Sequence, residues 1–377
     1  MNRPLRFCMI TTFYPPYNFG GDGIFVHRLA NELAKRGHQV DVVHCIDTYR
    51  LLAGTEPGTT YDDHHNVTVH GLKSPFGFLS PLATHQTGFP FFKSAQIKHI
   101  LNKGFDVIHF HNISLVGGPG ILKYGQAIKL YTTHEYWLIC PTHVLFKYNR
   151  SACTKRNCLL CSIVYKRPPQ LWRYSSLLKK AVRHLNAILA PSHFCKQIHL
   201  QSKLYAPIVS FPNFLPRTKN QKSLNLNVDM NHPEKPYFLF VGRLEKIKGL
   251  QTLIPVFRQY KKAQLVIVGN GSYERQLRDL SRNTTNILFL GYKPYSELEP
   301  LYRQAVALIV PSLCLEIFPS VTLEAFSQQT PAIIRNLGSM PEIIRKSGGG
   351  LVYDSESELI DAMDLLLTDT SYRQNWA

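Results

Sequence analysis

The chain has 377 residues, 44% hydrophobic and 18% charged, a balance that suits an ordinary globular protein, leaves room for two domains with separate cores and excludes disorder as the default. Its 43 Lys plus Arg against 25 Asp plus Glu give a formal charge of +18, which favours anionic partners (nucleotides, acidic lipid surfaces or nucleic acid) without choosing among them. No helix-turn-helix or zinc-finger spacing supports nucleic acid, no apolar run approaches the roughly 18 residues that span a bilayer, and the N-terminal apolar run is too short for a signal peptide. A soluble, cytoplasmic protein is expected, with peripheral contact at the inner face of an anionic membrane left open.

Residues 5–12 (LRFCMITT) read as a first strand, followed by the loop YNFGGDG and a helical pattern over 24–36, in which Phe25, Val26, Leu29, Ala30 and Leu33 share a face and Gly37 stands at the C-cap. The strand QVDVVHC follows at once, which makes a β-loop-α-β unit and predicts a parallel sheet covered by helices. Further strands are expected at 67–71, 106–111, 127–132 and 187–191, so a first domain runs over 1–216. Residues 217–236, polar and rich in Asn, Lys and Pro, read as a linker. A second α/β series over 237–377 has strands at YFLFVG, QLVIVG, NILFLG, VALIVP and PAIIR. The predicted fold class is α/β, two Rossmann-like doubly wound domains facing a central cleft.

Chemistry-bearing residues cluster after these strands. Gly242 and Gly269, followed by Asn270, end strands where a glycine lets backbone approach a ligand. Arg243 and Lys248 follow a strand and precede a helix, where two cations and free N–H groups hold a diphosphate. In PSLCLEIFPSVTLEAF, Glu316 lies in a loop and Glu324 just inside a helix that starts near Pro319 and Ser320. Gly20, Gly21 and Asp22 precede the first helix and form an anion-binding candidate. His111 and His134 follow first-domain strands, where an imidazole can donate to a sugar or phosphate, whereas His109 is expected to point into packing.

Taken together these residues resemble the family 4 retaining glycosyltransferases, whose fold is the two-domain GT-B type. The resemblance is carried by the E-x7-E pattern from Glu316 to Glu324, by FYPPYNFGGDG, SFPNFLP, VGRLEKIKG and IVGNGSYERQL. It implies transfer of a sugar from a nucleotide-diphosphate donor to a glycan, a lipid-linked saccharide or a small polar acceptor, with an acceptor-side first domain and a nucleotide-sugar-binding second one. On this pattern Arg243 and Lys248 neutralise the donor diphosphate, Glu324 takes the ribose, Glu316 meets the donor sugar's hydroxyls, and His111 stands near the reacting centre. Gly21 and its neighbours cover phosphate and acceptor, and Asn213 matches an Asn in a loop of the family. The resemblance requires no catalytic metal, and no nucleic acid partner is expected.

Departures from the family pattern are EIFPS, which places Ile317, Phe318 and Pro319 where E-x-F-G is commoner, Gln329 at a helix end, and an end, SYRQNWA, that leaves little chain for the full crossover helix. Two alternatives stay open: another GT-B enzyme such as a nucleotide-sugar epimerase, and a catalytically weak or inactive nucleotide-sugar-binding protein.

An insertion at about 138–180 carries Cys140, Cys153, Cys158 and Cys161, a set that admits a structural zinc site, reduced thiols or disulfides. The basic stretch YKRPPQLWRYSSLLKKAVRHL that follows reads either as resting on an anionic membrane or as one packed, basic-faced helix.

Overall fold

The computed structural model describes residues 3–58, 60–216 and 236–369. The expected linker, apart from Pro236, and the chain end that bears on the crossover helix lie outside the described residues. In chain order the strands are β1 Arg6–Ile10, β2 Gln39–Cys45, β3 Val67–Leu72, β4 Val107–Phe110, β5 Ile128–Thr132, β6 Phe146–Lys147, β7 Ser151–Ala152, β8 Ala187–Ala190, β9 Ile208–Ser210, β10 Tyr237–Val241, β11 Gln264–Val268, β12 Ile287–Gly291, β13 Ala307–Val310, β14 Ala332–Arg335 and β15 Gly350–Tyr353.

The described residues form two compact units. One runs from the N-terminal residues to Val144 and again from Arg156 to Pro216; the other comprises Leu145–Lys155 and the chain from Pro236 on. The first holds a seven-stranded sheet in the order β3-β2-β1-β4-β5-β8-β9, and the second a six-stranded sheet in the order β12-β11-β10-β13-β14-β15. The pairings within both sheets are parallel, whereas β6 and β7 make a small antiparallel hairpin. Each unit is therefore a Rossmann-like domain, and the pair is of the GT-B class. In each, the chain winds outward from the first strand in one direction and then returns to wind in the other. The switch falls between β1 and β4, and between β10 and β13, and loops after such strand pairs leave a crevice at the sheet's carboxyl edge.

Alternation along β10 explains the second unit's two core layers. Phe238 and Phe240 pack with Leu253, Ile254 and Phe257 on one face, while Tyr237 and Leu239 pack with Leu301, Tyr302 and Ile334 on the other. In the first unit Met9, Val40 and Val42 pack against Val26 and Ala30 of the helix Gly21–Lys35. That helix starts three residues earlier than its apolar pattern indicates, because Gly21, Asp22 and Gly23 form its first turn. At Gly23 a Cβ would lie 2.2 Å from Asn18 Oδ1, so close packing, not turn formation, accounts for this glycine.

The stretch after Tyr165 is not one helix. Pro168 and Pro169 interrupt it, and it folds as short 3-10 turns at Leu171–Tyr174 and Val182–His184 around the helix Leu177–Ala181. The edge strands β9 and β15 carry no strand expectation from sequence: β9 has three residues, and β15 starts at the last of three consecutive glycines.

Gly249 ties the loop after β10 to the loop after β13. Its φ is +79°, and a Cβ there would lie 2.1 Å from the Pro311 carbonyl oxygen. Gly249→Ala is expected to destabilise the protein by about 2 kcal/mol or more, seen as a lowered Tm in scanning calorimetry. An unchanged Tm would show that the two loops are not held by this contact.

Candidate functional site

In the second unit the loops after β10 and β13 run side by side. Gly242 stands at the start of the first; Gly269, which follows β11, has φ +133° and a Cβ there would lie 2.0 Å from the Gly242 carbonyl oxygen, so the backbones of the β10 and β11 ends touch. The Asn270 carbonyl accepts the Leu244 N–H at 2.8 Å. Arg243 is exposed and pairs with Glu245 at 2.9 Å. The chain then makes the 3-10 turn Lys246–Lys248, and the helix Leu250–Gln259 begins beyond Gly249. The Leu313 N–H donates to the Ile247 carbonyl at 2.8 Å, and Arg335 Nε donates to the Pro311 carbonyl at 3.2 Å, so the second loop is fixed from two sides.

This clamping brings Lys248 to Glu316. Lys248 Nζ and Ser312 Oγ both donate to Glu316 Oε1 at 2.7 Å, with Cys314 Sγ at 3.8 Å from the same oxygen. Ser339 Oγ donates to the Glu316 backbone carbonyl at 2.7 Å. One carboxylate oxygen is thus saturated by the protein and the residue is held at both side chain and main chain. The Lys248 ammonium has three N–H groups, and two remain beyond the Glu316 bond for further acceptors. Burial alone would raise the Glu316 carboxyl, but the Lys248 charge and the Ser312 hydroxyl outweigh it and hold the group below the ordinary 4.5. Burial alone would lower Lys248, and the Glu316 charge raises it above the ordinary 10.5. Burial with the adjacent carboxylate pushes the Cys314 thiol up to about 12.

The helix Ser320–Ser327 follows Pro319, as the sequence indicates. Ile317 and Pro319 are buried and Phe318 is half-buried. Glu324 lies inside the helix, buried, with Oε2 accepting the Tyr302 hydroxyl at 3.2 Å. Ser312, Ser339 and Tyr302 are absent from the sequence reading. Ser312 sits four residues before Glu316 in a loop, where no periodicity marks a contact; only its place at the strand end hints at it.

In the first unit the corresponding loops follow β1 and β4. Gly20 is the N-cap of the helix Gly21–Lys35, and Asn112 Nδ2 donates to Asp22 Oδ2 at 3.0 Å, which joins the helix start to the β4 loop. His111 is fully buried; its Nδ1 and His134 Nε2 are hydrogen-bonded at 2.9 Å, and Phe25 lies 4.9 Å from the His134 ring. His111 Nε2 has no hydrogen-bond partner among the described residues. His109 is buried as expected and bonds Thr132 Oγ1 at 2.8 Å. Burial pushes His109 down to about 3, His134 to about 4 and His111 well below the usual imidazole range, so all three are neutral at physiological pH. Asn213 is half-buried, and its Oδ1 has no partner among the described residues.

The four cysteines of the insertion do not form the zinc site that their number suggested. Among the described residues no group of three or more His, Cys, Asp or Glu is placed to hold a metal ion, and all eight cysteines are free thiols. Cys140 turns to Thr142 Oγ1 at 3.2 Å and Cys153 to the Lys155 carbonyl at 3.9 Å, so their sulfurs are directed at local partners.

Comparison with known proteins gives a consistent picture. The family model described as Glycosyltransferase Family 4 matches residues 19–218, and the model described as Glycosyl transferases group 1 matches residues 225–377. An uncharacterized glycosyltransferase of Methanocaldococcus jannaschii is 25% identical, over 98% of this chain and 91% of its own. Among solved structures, a sucrose-phosphate synthase from Thermosynechococcus elongatus superposes with TM-score 0.69 at 19% identity, covering 99% of this chain and 92% of the other. Anabaena HepE in complex with UDP and glucose gives 0.66 at 17%, with 99% and 92% covered.

The ion pair has a defined pH signature. Its stabilisation is complete between the two ordinary values, and is lost as pH falls through the Glu316 value or rises through that of Lys248. Lys248→Met leaves a half-buried carboxylate without its cation and is expected to cost about 2 kcal/mol at neutral pH. The Glu316 pKa is then raised, the folded state binds more protons, and the variant's Tm should climb on acidification toward about pH 5 while the wild type stays flat. Parallel Tm profiles for the two proteins would show that the pair is not formed.

Proposed function

Because the chain belongs to glycosyltransferase family 4, with a group 1 domain in its second half, and is a glycosyltransferase enzyme using a nucleotide-sugar donor, we propose that it transfers the sugar with retention at the anomeric carbon. The acceptor is a glycan, a lipid-linked saccharide or a small polar molecule. The observation that carries this reading is the Glu316 carboxylate held at the switch point of the second sheet, one oxygen saturated by Lys248 and Ser312, with Glu324 on the following helix.

The chemistry follows from what these groups can do. A nucleoside diphosphate leaves readily once its charge is met by fixed cations and dipoles, so electrostatics matters more than a nucleophilic side chain. Arg243 and the spare N–H groups of Lys248 supply that charge, and a divalent metal is not required. The glycine backbones at Gly242 and Gly269 let the phosphates approach, with Asn270 beside them. Glu316 accepts from donor-sugar hydroxyls through its second oxygen, and Ile317, Phe318 and Pro319 shape the wall around that sugar. Glu324 takes the ribose hydroxyls. We assign the acceptor to the first unit, where Gly20, Gly21 and Asp22 present the helix start and the His111 ring, oriented by its bond to His134, stands near the reacting centre; Asn213 lines the same unit. Retention is assigned to a front-face route in which the departing phosphate takes the acceptor's proton.

The Anabaena relative was crystallised with UDP and glucose, which makes a UDP-sugar the first donor to test beside GDP- and ADP-sugars. Incubation with each donor and a mixed acceptor extract, followed by mass spectrometry, is expected to show nucleoside diphosphate release from one donor. Glu324→Ala should reduce that release by about a hundredfold, the loss of two hydrogen bonds to a charged group. The product's anomeric configuration, read by NMR, should match the donor's. An inverted product would exclude retention, and donor binding with no release would favour a nucleotide-sugar-binding protein.

A further inference from the structure

Positive charge and exposed apolar surface coincide in the first unit. From His64 to Pro216 the sequence carries 18 Lys plus Arg and only two acids, Asp106 and Glu135, so this stretch holds nearly all of the chain's +18. Apart from Leu145–Lys155 it belongs to the first unit. Among the described residues, every exposed large apolar side chain except Tyr292 and Leu365 lies in that unit as well.

Two segments concentrate the effect. On the short helix Cys158–Val164, Leu159, Leu160, Ile163 and Val164 are between 45% and 57% exposed, while Cys161 and Ser162 face inward. Leu159 with Ile163, and Leu160 with Val164, are four apart, so the four form one outward stripe. In the second segment, exposed Phe76 packs its ring 4.4 Å from exposed Phe92, and Phe91 beside it is 62% exposed. The turn Leu171–Tyr174 lies near both segments. Trp172 Nε1 donates to the His85 carbonyl at 3.0 Å in the helix Leu79–Thr87. Arg173 stacks 4.4 Å over Trp172, donates to the Trp137 carbonyl at 2.5 Å, and lies within electrostatic reach of Cys158 at the start of the apolar helix. Lys73, Lys98, Lys166, Arg167, Lys179 and Lys180 are exposed along the same segments.

The combination selects its occupant. Nucleic acid would leave the aliphatic stripe of Leu159, Leu160, Ile163 and Val164 uncovered, since of the two segments only the phenylalanines offer a π-face to a base. A second copy of the chain would bring like charge against like charge, which argues against self-association. An anionic bilayer satisfies both parts: acyl chains cover the apolar stripe and headgroup phosphates meet the lysines. No helix among the described residues is long and apolar enough to cross a membrane, so the contact is one of lying on the surface.

We infer that the first unit docks on an anionic lipid surface through Leu159, Leu160, Ile163 and Val164, Phe76 and Phe91, with the lysines on the headgroups. Docking narrows the acceptor to a lipid-linked saccharide presented at that surface, a step that rests on the transferase reading; the docking itself does not.

The test is co-sedimentation of the full chain with phosphatidylcholine vesicles and with vesicles containing about 30% phosphatidylglycerol. Retention is expected on the anionic vesicles only, weakening as salt is raised. Leu159→Ser with Ile163→Ser, Phe76→Ser with Phe91→Ser, and Lys179→Glu with Lys180→Glu should each lower the apparent affinity about tenfold or more, with Tm and diphosphate release onto a soluble acceptor unchanged. Absence of retention at low salt would overturn the inference. So would retention insensitive to both apolar pairs and matched by single-stranded RNA, the behaviour of a general polyanion binder. Vesicle binding that follows this pattern in a protein that releases no diphosphate supports the docking face and fails only the transferase reading.

Discussion

Parallel strands cannot be joined by tight turns; each connection has to cross the sheet, and so every strand in a parallel sheet delivers its following loop to the same edge. That constraint places all the candidate chemistry in this chain. In the second unit β10 lies between β11 and β13, and only at such a reversal of winding do two neighbouring loops diverge enough to leave a crevice. Arg243 and Lys248 come from one of those loops and Glu316 from the other, although 68 residues separate Lys248 from Glu316 along the chain. The first unit repeats the device with β1 and β4, which set the Gly20–Asp22 turn beside Asn112 and His111.

Given that placement, the ion pair between Lys248 and Glu316 does two things at once. A carboxylate largely shielded from water is held as an anion by a cation and hydrogen-bond donors, which Lys248 and Ser312 provide. Because both donors go to one oxygen, the other keeps its lone pairs, and the pair is a preorganised acceptor instead of a closed salt bridge. The Ser339 bond to the Glu316 carbonyl removes the remaining freedom of the loop. The first unit offers the opposite electrostatics, a set of neutral histidines in which burial has stripped the charge.

Most of this architecture can be read from residues alone, and the exceptions have physical causes. Buried parallel strands are largely apolar runs, so QVDVVHC is found at its true bounds and QLVIVG within one residue of them. The E-x7-E spacing fixes Glu316 in a loop and Glu324 in the next helix because a proline marks the helix start. Ser312 and Ser339 escape such a reading: a hydroxyl that orients a carboxylate leaves no periodic trace, and its partner is set by tertiary contact. The first turn at Gly21–Gly23 was concealed by glycines, which ordinarily signal loops, and the basic stretch after Tyr165 lost its helical continuity to Pro168 and Pro169. The cysteine set finds no such support: of zinc, thiols and disulfides, the described residues show free thiols and no group of three or more His, Cys, Asp or Glu placed to hold a metal ion.

Charge is divided unevenly along the chain. Residues 237–377 hold acids and bases nearly in balance around the Lys248–Glu316 site, whereas residues 64–216 spread an almost acid-free basic surface among exposed apolar side chains. The central claim, that the Lys248–Glu316 loop pair with Glu324 is the donor site, is tested most directly by isothermal titration of the wild type and Lys248→Met with UDP, GDP and ADP. Binding of one nucleoside diphosphate, weakened about tenfold or more in the variant by loss of a charge-assisted contact, is the expected result. Equal affinity in the two proteins would place the diphosphate elsewhere and contradict the assignment.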